Sequence, residues 1–228
     1  MKLGYIPSQL MNAVIVPLIK CKTGDLSEVD NYRAITMPSA ISKILEFLLV
    51  QIVEDNDDID AYQFGFQKGV STALCTHVFK NTVEYYRRSG SHVFCCFIDF
   101  KKAFDSVDYW LLFAKLIDSN KTQLCYAAAR VLAYWYSHQQ VSIRWQGNYS
   151  LSFCIERGVR QGGLMSPYLF KLYVRDLLKR VVDSEIGCNI AGCFLNILAY
   201  ADDMVLLAPS WRGLQYLLKI VEDPDKGP

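Results

Sequence analysis

Phe194-Leu195-Asn196-Ile197-Leu198-Ala199-Tyr200-Ala201-Asp202-Asp203-Met204-Val205-Leu206-Leu207-Ala208 places two adjacent carboxylates in the middle of an apolar run. Two apolar segments with a short polar break predict a β-hairpin carrying the acids at or beside its tip. Carboxylates wedged between buried strands are costly unless water or a cation compensates them. Taken alone, the pair is most simply an acidic turn, because Asp is a common turn residue. A bound Mg²⁺, which takes oxygen ligands and keeps several waters for a phosphate substrate, would also remove the cost.

A second acidic centre lies upstream. Val93-Phe94-Cys95-Cys96-Phe97-Ile98 is a short continuous apolar run, as expected of a strand buried on both faces, and Asp99 stands where it ends. Such strand ends are where sheets place their chemistry. The segment Phe100 to Asp108 is too polar to continue the strand and offers Ser106 or Asp108 as the cap of a helix through Leu112 and Leu116. If Asp99 faces the hairpin tip, three carboxylates converge, and their mutual repulsion argues for a divalent cation site.

Hydrophobic periods organise the remainder. They predict a strand at Ala13 to Ile19, a helix at Ser39 to Val53, and a helix from Ser71 through Val78, Val83 and Tyr86. A further helix is expected from Thr122 to Tyr136. A hairpin is expected from Gln140 to Ile155 around Gln146-Gly147-Asn148, followed by a helix capped by Ser166 and begun by Pro167. The acidic stretch Glu54 to Asp58 reads as a solvated connection.

With 228 residues, 52% of them hydrophobic, the chain can bury a large core as one domain or two packed lobes. Eight cysteines without CxxC or zinc spacing read as small apolar residues of a reducing, intracellular setting, nucleus or cytoplasm. No signal peptide and no membrane-spanning run is expected. A net charge of +1 is low for a dedicated nucleic-acid binder and implies a weak, salt-sensitive grip on phosphate. Arg87-Arg88, Lys101-Lys102, Arg157 with Arg160, and Lys179-Arg180 are the basic groups available for it.

Six blocks carry a resemblance to a known family. In order they are Asn31-Tyr32-Arg33-Ala34-Ile35, Ser42-Lys43-Ile44-Leu45-Glu46, Gln63 to Thr72, Ile98-Asp99-Phe100-Lys101-Lys102-Ala103-Phe104-Asp105, Gly158 to Pro167, and Tyr200 to Asp203. Together they resemble a reverse transcriptase of the non-LTR (LINE-type) retrotransposon lineage. Ala34 stands where that family usually has proline. The resemblance implies an α+β right-hand polymerase fold, with fingers at 1–90 and a palm at 91–228 whose antiparallel sheet packs on helices, and with 139–160 between the lobes. It also implies RNA-directed DNA synthesis by two Mg²⁺ ions, with Mn²⁺ as the alternative ion. The partners would be an RNA template, a DNA primer and dNTPs, with no membrane.

The resemblance assigns Asp99, Asp202 and Asp203 to catalysis and metal binding, joined by the backbone of Phe100. Because successive strand residues point to opposite sides, Asp202 is preferred over Asp203 as the partner of Asp99. Phe104 would be the aromatic plate that excludes a 2′ hydroxyl. Gln161 and Gly162 would line the nucleotide pocket, Lys20 and Arg33 would reach the triphosphate, and Tyr200, Arg160 and Lys43 would touch template or primer. Lys43 stands at helical spacing from Glu46, so a local ion pair is an equal reading. A lysine-bearing palm block and a helical thumb are expected after the hairpin. Only Lys219 and Lys226 follow it, in no matching block, so the thumb is read as absent and left to a fuller element, as is any endonuclease. The competing readings are a non-catalytic or domesticated remnant with weak nucleic-acid binding and, further off, an RNA-dependent RNA polymerase.

Overall fold

The computed structural model describes residues 6–53, 61–119 and 123–222. The expectations placed on Glu54 to Asp58, Thr122 and Lys226 lie outside the described residues. The fold is α+β and divides into two compact units that interleave in sequence, 1–55 with 102–170 and 56–101 with 171–228.

The first unit is built on a five-stranded sheet. Strand β1 (Ala13–Ile19) pairs antiparallel with β2 (Tyr32–Pro38) and parallel with β4 (Gln140–Trp145), which also carries β5 (Asn148–Tyr149) and β6 (Phe153–Cys154). The β4–β5 turn is Gln146-Gly147, both at positive φ, the pattern of a two-residue hairpin matched to strand twist. Helices α1 (Ser8–Met11), α2 (Ala40–Val53), α4 (Tyr109–Ser119) and α5 (Gln123–His138) pack on one another. The Asp108 carboxylate accepts from the Leu111 N–H and so caps α4, which decides between the two expected caps. Leu49, Val53, Leu112, Leu116, Leu132 and Trp135 are fully buried. Helix α2 is turned against its own polarity. It buries Ser42 and Glu46 beside Leu49 and Val53, while Ile41, Ile44, Phe47 and Leu48 are exposed.

The second unit centres on a three-stranded antiparallel sheet of β3 (Phe94–Asp99), β10 (Asp203–Ala208) and β9 (Ile197–Tyr200), in that order. Helix α3 (Thr72–Arg88), capped by the Ser71 side chain at the Leu74 N–H, packs on β9, and α7 (Trp211–Glu222) crosses β10 and β3. Phe64, Cys188, Leu198, Val205 and Leu207 form a core against which Val78, Phe79 and Tyr86 of α3 pack. Burial pushes the Cys188 thiol up to about 12, so it is an inert apolar side chain here.

Strand β3 departs from expectation. It is an edge strand, with Phe97 74% exposed, rather than one buried on both faces. An unbroken apolar run does not say how many neighbours a strand has. The apolar run before the acids is also interrupted. Cys193–Phe194 (β8) pairs with Asn189–Ile190 (β7) as a separate small hairpin, and the buried Asn196 then ties the chain down through its amide to the Val181 and Ile186 carbonyls at 2.7 and 2.9 Å. Helix α6 (Ser166–Asp183) opens at Ser166 in the first unit and runs on into the second.

Candidate active site

The acids stand on a β-hairpin, as the sequence predicts. Strands β9 and β10 are joined by the two-residue turn Ala201-Asp202, closed by the pair Tyr200↔Asp203. Ala201 has φ +58, a position glycine normally fills and one that costs an L-residue about 1–2 kcal/mol. Across the other edge of β10, Asp203 is the direct partner of Asp99. Directly opposed residues of antiparallel strands project to the same face, so Tyr200, Asp203 and Asp99 form one row. By alternation that row continues the face bearing Val205 and Leu207, which packs with α3.

The expectation that Asp202 joins Asp99 as a metal ligand concerns where carboxylate oxygens meet an ion, which ladder register alone does not decide. Asp203 is opposed to Asp99 in register, and Asp202 belongs to the turn. Burial, then the neighbouring Asp202 and Asp99 charges, hold the Asp203 carboxyl above the usual carboxylate range. Among the described residues no three His, Cys, Asp or Glu side chains stand grouped to hold a metal ion. The three-way convergence is thus a facing pair with a third acid beside it. The donors still suit Mg²⁺, since hard carboxylate oxygens whose repulsion shows in the raised Asp203 are what a small divalent cation relieves. Phe100, half-buried, follows Asp99 directly beyond β3.

In the first unit, Phe104 and Asp105 lie on a 3-10 turn, Ala103–Ser106. The Phe104 ring stacks on Phe170 at 4.4 Å and 13°. The segment Gly158 to Gln161 braces this turn. The Val159 N–H donates to the Phe104 carbonyl at 2.8 Å, the Gly158 N–H to the Val107 carbonyl at 2.9 Å, and the Gln161 amide to the Asp105 carboxylate at 2.9 Å. Gly158 has φ +91, and a Cβ there would come within 2.7 Å of the Asp105 backbone, so only glycine lets the two strands of chain touch. Gly162, at φ +109, approaches the Thr36 carbonyl in the same way, and the Thr36 N–H donates to the Gln161 carbonyl at 2.7 Å. A recess of ≈ 150 Å³ is lined by Thr36, Asp105, Arg157, Gly158 and Gln161 among others.

Lys20 and Arg33 are exposed at the end of the β1–β2 pair, and the Lys20 ammonium donates to the Asp30 carbonyl at 2.9 Å. Two of the basic groups are engaged with acids: Lys102 with Asp30 at 2.6 Å, and Arg87 and Arg88 with Glu84, each at 2.8 Å.

Arg160 is a correction. It is 4% exposed, donating to the Gln139 side chain at 2.8 Å and the Met11 carbonyl at 2.9 Å, with its guanidinium 5.1 Å from the Trp135 ring centre. So enclosed, it is an interior strut and not a template contact. Glu46 is likewise turned inward. Its carboxylate accepts from the Leu164 N–H at 2.6 Å and lies 3.9 Å from the Arg160 guanidinium, while Lys43 is exposed. Glu46 thus serves chiefly as a cap on the approach to α6, while the Lys43 charge acts on it from the exposed side. Sequence reading missed Glu46, Asp105 and the buried Gln63, which meets Ala201. A charged or amide residue on an otherwise apolar helix face or block was the available signal.

Residues 20–224 match the family described as "Reverse transcriptase (RNA-dependent DNA polymerase)", and the chain belongs to that family. A Pol polyprotein from the type-2 retrotransposable element R2DM of Drosophila melanogaster is 32% identical over 224 residues, covering 94% of this chain and 20% of that protein. The RNA-directed DNA polymerase from mobile element jockey of Drosophila funebris is 25% identical, covering 92% of this chain and 22% of that protein. The relatives are thus polymerases of non-LTR elements, and the chain spans about a fifth of their length. Among solved structures, apo telomerase from Candida tropicalis superimposes with a TM-score of 0.64 at 11% identity, covering 96% of this chain and 42% of that one. A form of it truncated from its C-terminal domain gives 0.63 at 12% identity, covering 97% and 48%. This likeness concerns the fold, a polymerase fingers-and-palm arrangement. Among the described residues no helix is long and apolar enough to cross a membrane.

Proposed function

We propose that this chain carries the catalytic core of an RNA-directed DNA polymerase of a non-LTR element, adding dNTPs to a primer 3′ hydroxyl on an RNA template. The observation that supports this best is the in-register opposition of Asp99 and Asp203 beside Asp202 on a strained turn. Asp99, Asp203 and Asp202 would hold a pair of Mg²⁺ ions, with the Phe100 backbone carbonyl as a further oxygen donor. Bound there, the ions supply charge stabilisation for the attacking oxygen and the departing pyrophosphate.

On this reading residues 1–90 act as fingers and 91–228 as palm. Phe104, held against Phe170, would exclude a 2′ hydroxyl, and Gln161, fixed by Asp105, would line the sugar pocket with Gly162. Lys20 and Arg33, both exposed, would meet the triphosphate, while Tyr200 and Lys43 would approach primer and template. The remnant reading gains nothing from these residues, since every acid of the hairpin and its partner strand is in place.

The test is primer extension on poly(rA)/oligo(dT) with Mg²⁺ and dTTP. Wild type should extend the primer, and Asp202→Asn and Asp99→Asn should each lose extension by about 100-fold or more. Equal signal from wild type and both variants would refute the proposal.

A further inference from the structure

The turn that carries the acids is gripped by a side chain distant in sequence. Gln63 is 1% exposed, and its amide contacts Ala201 twice. Its Oε1 accepts from the Ala201 N–H at 2.8 Å, and its Nε2 donates to the Ala201 carbonyl at 3.1 Å. The same Oε1 accepts from the Gly65 N–H at 2.9 Å, which fixes the rotamer of the amide. The backbone follows suit: Gln63 bridges Ala199 in parallel, and the Phe64 N–H donates to the Ala199 carbonyl at 2.7 Å. Gly65 then passes so close that a Cβ would stand 2.4 Å from the Ala201 nitrogen. Gly65 is not among the glycines at positive φ, so it is needed there for space rather than for backbone freedom.

We propose that Gln63, seated by Gly65, is a positioning residue for the acidic turn: its amide clamps the N–H and C=O of Ala201, holds that alanine at positive φ, and thereby sets the direction of the Asp202 and Asp203 carboxylates. Three facts make this more than packing. Ala201 is a strained position without glycine, and such strain persists only where the surroundings over-determine it. The first residue of a two-residue hairpin turn has an N–H that the strand ladder leaves unpaired, and Gln63 supplies its acceptor. The Ala201 carbonyl belongs to the peptide joining Ala201 to Asp202, so fixing that oxygen fixes the plane from which Asp202 departs. A glutamine here can satisfy a donor and an acceptor at once. Neither glutamate nor leucine can.

The proposal rests on the polymerase reading for its catalytic consequence but not for its geometry, so it is tested by two measurements. The first is amide hydrogen exchange on wild type, Gln63→Leu and Gln63→Leu/Ala201→Gly. In Gln63→Leu the Ala201 and Gly65 amides should exchange at least about 10-fold faster, the scale of one lost hydrogen bond, while Val205 and Leu206 in β10 keep their protection. The second is primer extension, read as kcat and as KM for dTTP. Gln63→Leu should lower kcat by about 100-fold, the scale of an ångström-sized misplacement, with KM changed less than about 3-fold. Adding Ala201→Gly should restore at least about 10-fold of kcat, because glycine adopts the positive φ without the clamp.

Unchanged exchange at Ala201 in Gln63→Leu would overturn the clamp. So would β10 amides losing protection together with Ala201, because the residue would then serve general stability. Faster exchange at Ala201 with unaltered kcat would overturn the positioning role. Extension that is equal in wild type and Asp202→Asn would instead refute the polymerase reading, and the exchange arm would still decide whether Gln63 holds the turn.

Discussion

Glu46 and Arg160 offer the sharpest test of how the first unit is held together. Both are buried, at 5% and 4% exposure. Burial pushes the Glu46 carboxyl up, opposed by the Arg160 charge and by the Leu164 and Met165 N–H groups, and burial pushes the Arg160 guanidinium down. Neither charge is therefore comfortable without the other. Glu46→Ala removes a charged acceptor from the Leu164 N–H, worth about 1.5–3 kcal/mol, and leaves Arg160 enclosed beside an empty position. Stranding one partner of a buried pair costs about 3–5 kcal/mol in all. Glu46→Gln keeps an oxygen for the Leu164 N–H and loses only the opposing charge, so roughly half that cost is expected. Urea unfolding followed by circular dichroism, with equal slopes for all variants, measures both. The double variant Glu46→Leu/Arg160→Met should be less destabilised than the sum of its single changes, since apolar replacement removes both desolvation costs together. A Glu46→Ala cost under about 1 kcal/mol, or equal costs for alanine and glutamine, would refute the account.

Two further outcomes are expected. The Glu84 carboxyl, held at about 2 by hydrogen bonds from Arg87 and Arg88, should titrate near there by carbon NMR. Its folded value lies below its ordinary one, so its contribution to stability is present above about pH 4.5 and fades as pH falls toward 2, and a midpoint near 4.5 would show that the fork does not persist in solution. Phe104→Val should admit ribonucleotides, raising rNTP incorporation relative to dNTP by about 10-fold or more in primer extension, whereas an unchanged ratio would remove Phe104 from sugar choice.

The elements with a clear period were legible before the fold was known. Strand β1, helices α2, α3, α5 and α6, and the Gln146-Gly147 hairpin follow from spacing, and the acidic hairpin follows from two apolar runs around a polar break. What escaped depends on partners distant in sequence. Strand β2 has a mixed pattern, and its register against β1 gives it its identity. That Asp203 rather than Asp202 faces Asp99 on the strand ladder follows from a two-residue turn, and one residue of slip reverses every side chain. Gln63 meets Ala201 across 138 positions. Arg160 and Glu46 read as surface charges because such residues are rarely buried, and the inverted α2 defeats an argument from amphipathicity.

The interleaving of the two units also governs how the molecule can be dissected. Each unit draws on two separated stretches, so the chain leaves and re-enters, and α6 itself carries one of the crossings. A contiguous expression fragment cannot contain a whole unit without a large part of the other. Cut after residue 101, for example, the N-terminal piece holds β3 with Asp99 but lacks β9 and β10, so the strand that opposes the acids has nothing to pair with. Soluble halves of this chain are better sought by circular permutation or by splicing stretches with a linker than by truncation.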